Sequence, residues 1–317
     1  MQSPTVVIDV GSQAIKTLGV KADGTKLSLK NYLVENGQSL ARANGIIDSQ
    51  AFTVLTNQLQ KIRQSLENKG IHWNQLRQTG RLTIVGTAWL RGAKNEKTII
   101  NKLNDLDFPI QPLSSKNEAQ LVYPGVFINE KIAPDEKILV IEIGGGSIEL
   151  VGGDGPQHID LENATKILEV GATSIPLPTP FNHQDVVHTR QAYGRLFQKQ
   201  LSQFPMPTWT KNRRTFMRVS SLKHLQPTHQ KKFQKDLFRS EFTLQEIESY
   251  LSPKGLAFLK EEIITNAAPG AYLSVVTKLI ILAELLKALN IPAIELGSNA
   301  GMKYGLITHQ LKSMAAQ

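Results

Sequence analysis

The sequence predicts two α/β domains, and three observations point there. The chain has 317 residues, long for one compact core, so two domains of ordinary size are the default. The order of strands then helices runs through twice, which argues against a single barrel. Each run also opens on the same device: TVVIDVGSQAIKTLGV at 5–20 and KILVIEIGGGSIELVGG at 137–153. In both, an apolar β-type run ends in a carboxylate, Asp9 or Glu142, and a small-residue turn leads into a second alternating run.

Along the first half, strands are predicted at 5–10, 15–21 and 26–33, with Asp23-Gly24 as the hairpin signal between the last two. Phe52, Leu55, Leu59, Ile62 and Leu66 recur at helical spacing, with Asp48 or Ser49 to cap the start and Gly70 to close the end. A short strand at 82–86 leads into a helix predicted over 90–106, followed by a strand at 110–113 and a helix at 116–123. The polar stretch 129–136, with Pro134, reads as the crossing into the second domain. There the strand pair restarts, helices are predicted at 183–204 and 244–251, and an apolar helix runs over 272–289. A strand at 293–296, a small-residue loop at 297–301 and a helix at 302–314 finish the chain.

Composition narrows the chemistry. Apolar residues make up 41% and charged residues 20%, as in an ordinary globular protein. The absence of cysteine excludes disulfides, thiolate catalysis and cysteine-based metal sites. The N-terminus shows no secretory pattern. The most apolar helix holds Lys278, Glu284 and Lys287, so it lacks the charge-free span of about 20 residues that a membrane crossing needs. A cytoplasmic protein is expected. The net charge of +9 favours polyanionic partners, and nine of the basic residues fall between Lys211 and Arg239 with one acid, Asp236. That stretch is either a solvated surface or a landing strip for an anionic chain. No nucleic-acid motif, P-loop or histidine metal spacing is visible.

The paired device suits a phosphate cleft. Side-chain-poor turns let backbone N–H groups approach an anion, so Gly11, Ser12 and Gln13, and Gly144, Gly145, Gly146 and Ser147, are candidate phosphoryl donors. Each could equally be a plain tight hairpin. Asp9 and Glu142, at the ends of apolar strands, are candidates for holding Mg²⁺ through its waters.

Four segments in order resemble the exopolyphosphatase / guanosine pentaphosphate phosphohydrolase (Ppx/GppA) family of the actin–Hsp70–sugar kinase superfamily. They are the first device, GTAWLRGAKN (86–95) with SSKNEAQLVYPGV (114–126), EIGGGSIEL (142–150) and ELGSNAGMKYGLI (295–307). The resemblance implies two actin-like (ribonuclease H-like) α/β domains, 1–127 plus 300–317 and 128–299, with an interdomain phosphate-binding cleft. It implies release of terminal phosphate from inorganic polyphosphate or guanosine pentaphosphate, with polyphosphate or a guanosine penta- or tetraphosphate as the bound partner, and a homodimer. By the family's Glu-Glu-Ala-Arg motif, matched by Asn117-Glu118-Ala119-Gln120, Glu118 would be the catalytic base. The local pattern Ser115-x-x-Glu118 is also a capping box. Arg91 sits where the family grips phosphate, and Glu149 matches the glutamate after the glycine loop.

Departures from the family pattern are specific. Glu142 replaces an aspartate, moving the carboxylate out by about 1.5 Å. Gln13 replaces an asparagine, Ser220-Ser221 a glycine-rich turn, and Asn299 and Lys303 an Asp and an Arg. The family's Val-Arg-Leu-Thr-Glu stretch has no counterpart in Val170–Ser174. These motivate a second expectation, a catalytically weakened sensor of polyphosphate or an alarmone. A third, an actin-like kinase or scaffold, would need nucleotide-pocket glycines where Ser220-Ser221 stands.

Overall fold

The computed structural model describes residues 3–11, 14–21, 23, 25–27, 29, 32–33, 45–126, 132–155, 158–160, 165–202, 213–218, 220–237, 240–266, 270–297 and 305–307. The chain divides into two compact units. Unit 1 is Met1–Gly125 with Gly301–Gln317, and unit 2 is Val126–Ala300.

Unit 1 is built on β1 (Thr5–Val10), β2 (Ala14–Val20), β3 (Lys26–Leu27), β4 (Tyr32–Leu33), β5 (Leu82–Gly86) and β6 (Ile110–Pro112). Their order is β3-β2-β1-β5-β6, with β4 beside β2. β1 pairs antiparallel with β2 and parallel with β5, and β5 runs parallel to β6. All six residues of β1 are buried, as expected of a strand covered on both faces. α1 (Ser49–Glu67) buries Leu55, Leu59, Ile62 and Leu66, and the Asp48 carboxylate caps it by accepting from the Ala51 N–H at 2.8 Å. α2 (Trp73–Gln78), absent from the sequence prediction, buries Trp73 and Leu76.

One predicted element is shortened. The helix expected over 90–106 is α3 (Glu96–Asp105), and a string of turns takes up residues before it. The cause is local: Gly92 adopts φ +71°, which a continuing helix does not allow. The Asn95 side chain is engaged with the backbone of Ile47 at 2.8 and 3.0 Å. Of the strand expected over 26–33, the described residues show β3 and β4 at its two ends, and 28, 30 and 31 lie outside the described residues. α4 (Ser115–Val126) follows β6, and the Gly305 backbone of the returning C-terminal segment sits directly against the Leu121 carbonyl.

Unit 2 repeats the plan. β7 (Lys137–Ile143), β8 (Ile148–Asp154), β10 (Thr165–Leu168), β11 (Arg214–Arg218) and β13 (Ala293–Leu296) are ordered β10-β8-β7-β11-β13, with β12 (Glu241–Thr243) added at the edge and β9 (His158–Ile159) beside β8. β7 is antiparallel to β8, and β7, β11 and β13 run parallel. Strand for strand, this matches unit 1. The covering helices are α5 (His183–Leu201), α6 (Gln226–Phe233), α7 (Leu244–Leu251), α8 (Pro253–Asn266) and α9 (Ala271–Leu289). α9 is the central one; it buries thirteen residues, eleven of them apolar. Arg190 of α5 joins Glu248 of α7 and Glu284 of α9 by charge-assisted hydrogen bonds of 2.6–2.8 Å. Among the described residues, no helix is long and apolar enough to cross a membrane.

Candidate active site

The two hairpins that open the units close in the same way. In unit 1 the Gly11 N–H donates to the Ala14 carbonyl at 3.0 Å, below the pair Val10–Ile15. In unit 2 the Gly144 N–H donates to the Ser147 carbonyl at 2.9 Å, below the pair Ile143–Ile148. The two hairpins therefore close with equivalent registers. Ser12 and Gln13, the residues between, lie outside the described residues. Asp9 and Glu142 occupy matching strand-end positions, one residue before the pre-loop residue of each hairpin.

The cross-strand partners differ in sign. Asp9, only 4% exposed, faces Lys16, and their charged groups lie 3.4 Å apart. Glu142 faces Glu149, which is buried and accepts from the Ser147 hydroxyl at 2.6 Å. Glu142 Oε2 is buried without a hydrogen-bond partner. Such an acceptor is costly in isolation and suits a cation or its water. Among the described residues there is no group of three or more His, Asp or Glu side chains able to hold a metal directly. The unpartnered oxygen of Glu142 is the kind of acceptor that suits a water of a hydrated magnesium, which keeps several of them.

The glycine loop of unit 2 rests on a support that sequence reading missed. The turn after β10 donates into it: Ala172 N–H to Gly144 O at 3.0 Å, and Thr173 N–H and hydroxyl to Gly145 O at 2.8 and 2.7 Å. Tyr193 of α5 fixes that turn by donating its hydroxyl to Gly171 O at 2.9 Å, and burial raises its phenol to about 12. A Cβ on Gly171 would lie 2.6 Å from the carbonyl carbon and oxygen of Gly145. The segment Val170–Ser174, unlike the family pattern in sequence, is thus the floor of the loop. Its only sequence signal was the glycine at 171.

In unit 1, β5 and the turn after it supply Trp89 and Arg91. The Trp89 indole N–H donates at 2.5 Å to the Val10 carbonyl, the residue before the first loop. Arg91 Nη1 donates to the Leu113 carbonyl at 2.8 Å and to Glu118 Oε2 at 3.0 Å. Arg91 Nη2 is buried with no partner. Glu118 lies in the first turn of α4, with its side chain 12% exposed. The Ser114 hydroxyl accepts from the Asn117 N–H at 3.1 Å, so the cap falls one residue earlier than the Ser115-x-x-Glu118 box. The structure therefore brings Glu118 to Arg91, and Arg91 sits on a turn rather than on a helix face.

Much of the basic stretch is already spent. Arg213 pairs with Asp154, Arg214 with Glu295 and Glu136, Lys231 with Glu262, and Lys235 with Glu246. The Glu295 and Glu136 carboxylates push the Arg214 guanidinium further above its usual range. Lys211 and Arg239 lie outside the described residues, as do Asn299 and Lys303 of the last motif. His229 is a core residue among Phe233, Phe242 and Tyr250.

Comparison with known proteins gives a consistent result. The model of the Ppx/GppA phosphatase family matches residues 54–314. Among solved structures, an exopolyphosphatase from Cytophaga hutchinsonii is similar at 17% identity with a TM-score of 0.73, over 98% of each chain. An Aquifex aeolicus Ppx/GppA family member is similar at 14% identity and TM-score 0.68, again over 98% of each chain. An exopolyphosphatase-like protein matches at 14% identity and TM-score 0.75, over 98% of this chain and 99% of that one. The fold of the chain is theirs.

Proposed function

The chain belongs to the Ppx/GppA phosphatase family, and from that premise we propose that it releases terminal phosphate from inorganic polyphosphate, with guanosine pentaphosphate as the alternative substrate. The observation that carries this is the Arg91–Glu118 pair. A carboxylate held at 3.0 Å by one guanidinium nitrogen keeps a fixed direction, while the second nitrogen, buried and without a partner, is left for a phosphoryl oxygen.

Glu118 accepts a proton from a water that attacks the terminal phosphorus. The bridging P–O bond breaks, orthophosphate leaves, and the chain departs one phosphate shorter. Most of the acceleration is assigned to positioning and electrostatics. Gly144, Gly145, Gly146 and Ser147, with Gly11, Ser12 and Gln13, are the loop residues whose backbone amides we assign to phosphoryl oxygens. Asp9 and Glu142 are the carboxylates we assign to magnesium, through its waters. When bound, the ion would neutralise phosphoryl charge.

A second reading, a polyphosphate or alarmone sensor with weakened catalysis, is favoured by one feature. Glu142 and Glu149 face each other where unit 1 has the Asp9–Lys16 ion pair. The deciding assay follows orthophosphate release by the purified protein from long-chain polyphosphate, guanosine pentaphosphate and ATP, each with Mg²⁺ and with EDTA. The hydrolase reading expects Mg²⁺-dependent release from polyphosphate or the guanosine nucleotide. Binding without release from any of the three would leave the sensor.

A further inference from the structure

The matched hairpins can be compared position by position, and one charge has moved. In unit 1, the pre-loop carbonyl of Val10 takes a neutral donor, the Trp89 indole, and the cation beside the strand-end carboxylate is Lys16 on β2. In unit 2, Glu149 stands at the position of Lys16. The pre-loop carbonyl of Ile143 instead takes the ammonium of Lys278, at 2.6 Å. Lys278 is 5% exposed, on α9, where every other buried residue except Thr277 is apolar. A lysine on a helix surface extends its head to water. Taking it out of water is tolerated only where it finds strong partners.

We propose that Lys278 is a positioning residue of the phosphate site. The glycine turn of unit 2 is tied at both ends to buried charged side chains: Ile143 to Lys278 at 2.6 Å, and Ser147 to Glu149 at 2.6 Å. Lys278 fixes the start of the turn, so that the amides of Gly145 and Gly146 hold one orientation. It also brings to the second hairpin the positive charge that Lys16 brings to the first. This rests on the proposed function for the nature of the anion. The charge acts on binding of the phosphoryl group rather than on activation of water, which is assigned to Glu118.

The test compares wild type with Lys278→Met, which keeps length and removes charge, and Lys278→Arg, which keeps charge. Three quantities are read: amide hydrogen exchange of peptides over 143–149 without ligand, tripolyphosphate affinity by calorimetry, and kcat and KM on long-chain polyphosphate. Lys278→Met is expected to speed exchange in 143–149 alone and to weaken tripolyphosphate binding roughly tenfold or more, the worth of one charge-assisted contact. KM should rise in step while kcat stays within about threefold, since the base is untouched. The thermal midpoint should fall as well, because the buried Ile143 carbonyl loses its donor, so the readouts that separate positioning from stability are the local exchange and the partial recovery in Lys278→Arg. Lys278→Arg should recover part of the affinity. Unchanged exchange and affinity in Lys278→Met would overturn the proposal, as would a wild type that binds no tripolyphosphate. A wild type that binds tripolyphosphate but releases no phosphate would overturn the hydrolase reading alone, and the Lys278→Met comparison would still decide the role of Lys278.

Discussion

Arg91 and Glu118 are joined by a 3.0 Å hydrogen bond from Nη1 to Oε2, and the same nitrogen donates at 2.8 Å to the Leu113 carbonyl. One guanidinium thus links the turn after β5 to the approach and first turn of α4. Arg91→Met is expected to lower kcat/KM on polyphosphate by about 100-fold, the scale of misplacing one catalytic group. Circular dichroism should be unchanged. Arg91→Lys should rescue little, because a lysine lacks the second in-plane donor.

Glu142 and Glu149 sit directly opposite across β7 and β8, and like charges so placed oppose folding. Glu142→Gln should therefore raise stability by about 0.5–1 kcal/mol, measured by urea unfolding. The same variant should need more Mg²⁺ for half-maximal phosphate release. A stabilised variant with an unchanged Mg²⁺ requirement would remove Glu142 from the ion's site.

Gly171 leaves no room for a methyl group beside the Gly145–Gly146 backbone. Gly171→Ala should cost about 1–3 kcal/mol in stability, as overpacking does. It should also weaken polyphosphate binding by displacing the glycine loop. Gly80 is the control: it has nothing within 4 Å of an added Cβ, although its φ of +63° makes alanine mildly strained there. Gly80→Ala should lower stability without changing binding.

His229 is fully buried, with Nδ1 3.3 Å from the Tyr250 hydroxyl and Nε2 without a partner. Burial lowers its proton affinity, with Lys235 and Lys232 acting in the same sense and Glu246 and Asp236 opposing. The folded state therefore favours the neutral ring. Its contribution to stability is full above the unfolded value of about 6.5 and is lost as pH falls below it, by up to about 1.4 kcal/mol per pH unit. Chemical unfolding of wild type and His229→Gln between pH 7 and 5 should show the slope in wild type and its loss in the variant.

The fold was legible where burial follows period. β1, β7, α1 and α9 carry most of their apolar residues at the spacing of their element, and both hairpins stand where their glycine turns put them. Less legible was what depends on contacts distant in sequence. Gly92 broke a helix that periodicity carried to residue 90, because a single positive φ leaves the apolar spacing intact. Nothing in the sequence singles out Trp89, and Lys278 reads only as a charge on an apolar helix. Only the folded chain brings them to the carbonyls of Val10 and Ile143. Glu118 had two readings in sequence, general base and helix cap, and neither gave a sign of the partner the fold brings to it, Arg91, 27 positions away.

The central claim is that Glu118 activates water in a phosphoanhydride hydrolase. It is tested most directly by initial rates of orthophosphate release from long-chain polyphosphate with Mg²⁺, for wild type and Glu118→Gln at matched bound substrate. The expected result is a fall of roughly 10²–10⁴-fold in the variant, the usual worth of a general base, with binding retained. Equal rates in the two proteins would contradict it.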